Sequence, residues 1–219
     1  MSTAATKQSK SLAGEGRLHS AELSHDDIPD IEEQARQKTA DFSKPALVRK
    51  LTVNSNQVQR PFEHNYIRID YSLYIATKGA RSQNRVADAK KAEAALKDIF
   101  DAFGLELSEV VAKTQAMIEE RVPVSCRDIQ YDHKREFTVP VRTGFSMRFL
   151  NLTQMLDQLA ANSEVLEINN LLTPQETDET VQSWVGRYRR FCRSINAIRT
   201  ESFEQKRLAV VPTTSTSAK

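Results

Sequence analysis

Between Trp184 and Arg207 the chain gathers Arg187, Arg189, Arg190, Arg193, Arg199, Lys206 and Arg207 against Glu201 and Glu204. This local excess of positive charge stands out from a whole chain of formal net charge +2. Guanidinium forks match phosphate oxygens in geometry, so such a face can hold a nucleic-acid backbone. The same cations also suit a solvated helix end, where they complement the helix dipole. Lys134, Arg135, Arg142 and Arg148 make a second basic group around the stretch 134–143.

No other residue set carries a reaction. His19, His25, His64 and His133 lack the i, i+4 spacing of a helical metal pair, and Cys126 and Cys192 lack motif spacing. No metal and no cofactor are expected, and the two thiols suit a reducing compartment. There is no nucleophile elbow, phosphate loop or dinucleotide fingerprint; Gly14-Glu-Gly16 follows no strand. Acidic residues are plentiful, yet none stands out as a catalytic pair. The chain is therefore read as not an enzyme, with no small-molecule ligand evident. Its first residues lack the apolar core of a signal peptide, and no apolar run approaches the roughly 18 residues of a membrane helix. A cytoplasmic protein without a membrane partner is expected.

The elements that must position these cations follow from periodicity. Residues 1–45 are polar, with Glu22, Asp26, Asp27, Asp30, Glu32 and Glu33 in an acidic stretch, and are expected to be a disordered tail. Residues 208–219 are read the same way. Between them, 46–207 is expected to form a single helix-rich α+β domain. Residues 46–48 and 51–53 suit a short strand or a turn of helix. In 66–75, Ile67, Ile69, Tyr71, Leu73 and Ile75 alternate with Tyr66, Arg68, Asp70, Ser72 and Tyr74, which predicts a strand. Ser82 is expected to cap a helix closed by Gly104, and Ser108 to start a second one stopped by Pro123, together a helical hairpin.

A second strand is expected at 134–142. Phe137, Val139 and Val141 point one way; Glu136, Thr138, Pro140 and Arg142 point the other, and Pro140 marks an edge. A helix over 146–161 follows, with Leu152, Met155, Leu156 and Leu159 inward and an interruption at Asn162-Ser163. Thr173-Pro174-Gln175-Glu176 has the form of a capping box and opens a helix to about residue 199. Its buried stripe is Val181, Trp184, Val185, Tyr188, Cys192 and Ile195.

A strand followed by two helices is the unit of a ribbon-helix-helix protein. Two such strands, paired across a twofold axis, fit the major groove with their outward side chains on base edges. A homodimer is expected, because a second copy would cover the edge strand. The stretch Phe137-Thr-Val-Pro-Val-Arg-Thr-Gly-Phe145, the helix over 152–159, and Leu172-Thr-Pro-Gln-Glu176 leading into Tyr188-Arg-Arg-Phe191 resemble the AcaB-like family. These are regulators and accessory proteins of conjugative plasmids and integrative conjugative elements. The likeness spans about residues 60–200. It implies a ribbon-helix-helix regulator of conjugative transfer genes that binds promoter duplex DNA as a dimer. On this reading Lys134, Arg135, Thr138, Arg142, Arg148, Arg187, Arg190 and Arg193 contact DNA, with Thr138 and Arg142 on base edges. The strand at 66–75 with its hairpin is the alternative ribbon unit. The alternative function is a structural or adaptor protein of a conjugation apparatus, docked on an acidic protein through the final helix.

Overall fold

Two seven-residue segments alternate inward and outward and find each other across the chain. In a computed structural model that describes residues 45–209, with side chains to residue 201, β1 (Leu47–Val53) pairs antiparallel with β2 (Arg135–Val141). Val48 lies opposite Pro140, Lys50 opposite Thr138 and Thr52 opposite Glu136. Leu51, Val53, Phe137, Val139 and Val141 are buried beneath the sheet. Both strands of a two-stranded sheet are edges, so Pro140 is accommodated. The neighbour of β2 is therefore a strand of the same chain, and its pairing edge does not wait for a second copy.

The helices are α1 (Asn56–Tyr74), which continues through a π turn at Ile75–Gly79 into Ala80–Ser82, then α2 (Val86–Arg121), α3 (Gly144–Ile168) and α4 (Pro174–Ala209). Three sequence expectations change. The segment 66–75 is helix, not strand, which removes the alternative ribbon unit. Phe62, Tyr66, Ile69 and Leu73 form one helical stripe at 0% exposure, while Ile67, Asp70 and Tyr74 are buried beside it. A helix covered on several sides satisfies an alternating pattern as readily as a strand does.

The expected hairpin is one helix. Gly104 does not end α2, because the buried stripe runs on through Leu96, Phe100, Phe103, Leu107, Thr114 and Ile118. A methyl group at Gly104 would stand 3.4 Å from the Leu152 side chain, an ordinary van der Waals contact, so α2 packs against α3 here rather than ending. Ser108 donates to the Leu105 carbonyl at 2.8 Å within the helix. The expected Ser82 cap belongs instead to the end of the preceding segment, and the turn into α2 uses Asn84 at φ 60°. Likewise, α3 passes through Asn162-Ser163. Asn162 donates to Thr114 Oγ1 at 3.0 Å, and Ser163 donates to the Leu159 carbonyl at 2.9 Å. The expectations for residues 1–44 and 210–219 lie outside the described residues.

Residues 47–209 form two βαα units in tandem. Adding 88 to a residue number carries β1 onto β2, the Ser55 cap onto Thr143, the start of α1 onto the start of α3, and both ends of α2 onto both ends of α4. Burial follows the same shift: Leu96 and Trp184, Phe100 and Tyr188, Phe103 and Phe191, and Leu107 and Ile195 are buried in both units. Cross-braces recur on the equivalent backbone positions Asn54 and Arg142, with the carboxylate, Asp70 or Asp157, one residue out of the shift. From α1, Asp70 accepts the Arg142 backbone N–H at 3.2 Å. From α3, Asp157 accepts the N–H groups of Asn54 (3.0 and 3.1 Å) and Ser55 (2.8 Å). Each unit thus supplies a carboxylate that satisfies the other's strand-to-helix junction, where backbone donors are otherwise orphaned.

Aromatic rings connect the sheet to α4. Phe62 meets Phe137 at 5.1 Å, Phe149 meets Tyr188 at 5.4 Å, and Phe103 stacks on Phe191 at 4.6 Å. The Tyr66 hydroxyl donates to the Pro140 carbonyl at 2.6 Å, and its burial beside Asp70 raises the phenol well above its ordinary range.

Candidate nucleic-acid interface

The outward face of β1–β2 carries Val48, Lys50 and Thr52 beside Glu136, Thr138 and Pro140. Alternation puts these six side chains opposite the core. Val48 is 65% exposed, Lys50 and Thr52 are exposed, and Thr138 and Pro140 are half-buried. Lys50 Nζ donates to Glu136 at 2.8 Å, and that hydrogen bond raises the lysine above its usual value. Arg49 and Lys134 are exposed at the margins.

The eight basic and polar residues expected at the interface separate into distinct settings. Thr138 faces outward as expected, and Lys134 is exposed just before β2. Arg135 donates through both terminal nitrogens to Glu63, at 2.7 and 2.9 Å, and its guanidinium lies 5.0 Å from the Phe137 ring centre. Arg148 pairs with Asp101 and covers the Phe100 ring at 5.3 Å. Arg187 pairs with Glu106 at 2.9 Å and lies 4.6 Å over the Trp184 ring. Arg190 and Arg193 are exposed on α4, with Arg189 beside them.

Arg142 departs from the expectation that it faces outward. It is 8% exposed and its guanidinium binds Asp70, which is fully buried. The strand ends at Val141, so alternation no longer sets the direction of residue 142. Its carbonyl accepts from Lys78 Nζ at 2.8 Å. The sequence reading missed Lys50, Val48 and Thr52. Their only signal was the weak pattern of 46–53, and it gains meaning once β2 lies alongside.

Asp157 is held differently from Asp70, since its partners are neutral. Burial raises its carboxyl above the ordinary range, against the lowering effect of the Asn54 and Ser55 donors. Among the described residues no group of three or more His, Cys, Asp or Glu could hold a metal ion, and no helix is long and apolar enough to cross a membrane.

No family model and no curated protein matches the chain. A crystal structure of AcaB from uropathogenic E. coli aligns with a TM-score of 0.70 at 21% identity, over 76% of this chain and 86% of that one. The two strands and four helices described above therefore have an AcaB-like fold.

Proposed function

We propose that the chain is a sequence-specific DNA-binding regulator of conjugative transfer genes, which lays its β1–β2 ribbon in the major groove in the ribbon-helix-helix manner. The observation that carries this reading is the exposed outward face of the ribbon, backed by two βαα units. A two-stranded ribbon fits a groove about 12 Å wide, and its outward side chains meet the base edges. Lys50 offers donors to guanine acceptors, Thr52 and Thr138 offer hydroxyls, Val48 offers a contact for a thymine methyl, and Glu136 accepts from cytosine. Arg49 and Lys134 flank this face as phosphate contacts. Arg135, Arg148 and Arg187 already hold carboxylates, so they reach phosphate only by exchanging those partners.

Immunoprecipitation of the tagged full chain with its bound DNA, followed by gel retardation of recovered fragments, tests the proposal. Enrichment of discrete promoter fragments is expected. Absence of retardation at low salt would remove the proposal. One observation favours a second reading, an adaptor docked on an acidic protein: Arg189, Arg190 and Arg193 share an exposed face of α4. Capture of a conjugation-apparatus component that is lost in R190A/R193A, with no DNA retarded, would select it.

A further inference from the structure

The ribbon is symmetric in its backbone and asymmetric in its outward chemistry. Its register is centred on the Lys50–Thr138 pair, and the shift of 88 exchanges the two strands. In a homodimeric ribbon that exchange would return identical side chains, and the twofold would impose an inverted-repeat site. Here it sets Glu136 in the place of Val48, Thr138 in the place of Lys50, and Pro140 in the place of Thr52. No outward position is shared.

The two ends of the ribbon differ accordingly. At one end Val48 lies across from Pro140, next to exposed Leu47, and no charged side chain projects outward. At the other end Thr52 lies across from Glu136, so a hydroxyl and a carboxylate face outward. Lys50 occupies the middle. Its ion pair with Glu136 is 72% and 55% exposed, and such pairs contribute little, so it opens readily onto a base.

We infer that a single chain recognises a non-palindromic duplex site whose two half-sites are read by different chemistry. The Val48–Pro140 end takes A·T pairs through thymine methyls. The Thr52–Glu136 end takes G·C pairs through the cytosine amino group, and Lys50 takes a guanine near the centre. The inference rests on the proposed DNA-binding function and goes beyond it in the number of copies bound and the polarity of the site.

The test is selection of the full chain on a pool of random duplexes. Affinity is then measured for the selected duplex and for two palindromes, each built by inverting one half-site onto the other. A consensus without inverted symmetry is expected, A·T-rich on one side, with one chain per duplex in sedimentation. Both palindromes should bind roughly tenfold more weakly or worse, since each replaces several read base pairs. The variant E136V/T138K/P140T copies the outward face of β1 onto β2 and should now prefer one of the palindromes. The palindromes test the same point on the unaltered chain, whatever the variant's folding. An inverted-repeat consensus, or two chains per site, would overturn the inference while leaving DNA binding intact. A chain that retains no duplex at low salt would remove both.

Discussion

Arg142→Ala separates a structural arginine from a base-reading one. Asp70 is fully buried and has two partners in Arg142, the backbone N–H at 3.2 Å and the guanidinium. Removing the side chain leaves a buried carboxylate with one backbone donor. Breaking a buried pair in this way costs about 3–5 kcal/mol, because the remaining charge is neither hydrated nor paired. Domains of this size are stable by roughly 5–15 kcal/mol. At about 2–4 °C per kcal/mol, the melting temperature should fall by about 6–20 °C. Urea unfolding followed by circular dichroism gives the free energy directly. The double variant Asp70→Leu with Arg142→Met should recover much of the loss, since an apolar pair carries no desolvation penalty. Specific DNA affinity of R142A, measured well below its melting temperature, should stay near that of the parent chain. A melting shift under about 2 °C together with loss of specific binding would refute the reasoning, because it would mean Arg142 acts outside the core.

Other outcomes follow from the same geometry. Lys50→Ala should weaken binding to the selected site by roughly tenfold to a hundredfold and leave random duplex and melting temperature nearly unchanged, since base contacts specify; competition binding measures both. R190A/R193A should weaken all duplexes alike and flatten the salt dependence by about one unit per lost phosphate contact; binding at two salt concentrations decides. Asp157 is raised by burial, so the folded chain holds that proton to higher pH than the unfolded chain does. Its contribution to stability therefore falls as pH rises through the interval above the ordinary aspartate value. Asp157→Asn should flatten this part of the stability profile, as read by melting temperature across a pH series. Burial pushes the Cys192 thiol up to about 12, whereas Cys126 is exposed. Alkylation followed by mass spectrometry should therefore modify Cys126 in the native chain and Cys192 only after unfolding.

What the sequence determined by itself lies in local patterns. The capping box at α4 forms as written: the Thr173 N–H donates to Glu176 at 2.8 Å, and the Glu176 N–H donates to Thr173 Oγ1 at 3.2 Å. Phe137, Val139 and Val141 are inward on β2, and Val181, Trp184, Val185, Tyr188, Cys192 and Ile195 make a buried stripe. These features rest on contacts within a few residues or on a fixed period, so one segment suffices to specify them.

Tertiary structure decided the rest. Whether 66–75 is strand or helix depends on what surrounds it. Tyrosines on both phases of that segment fit either period, and the burial of Tyr66, Ile69 and Leu73 together with Ile67, Asp70 and Tyr74 resolves it as helix. The direction of Arg142 depends on Asp70, 72 residues away, and no local pattern contains that pairing. The repeat was hidden because the two units share burial and caps but few residue identities, with Val53 and Val141 or Phe103 and Phe191 among the exceptions. A core requires apolar volume at a position and accepts different side chains to supply it. The ribbon likewise exists only when β1 and β2 meet across the chain. Non-local strand pairing is chosen by the whole core, and here that choice set Lys50, Glu136 and Thr138 on one face.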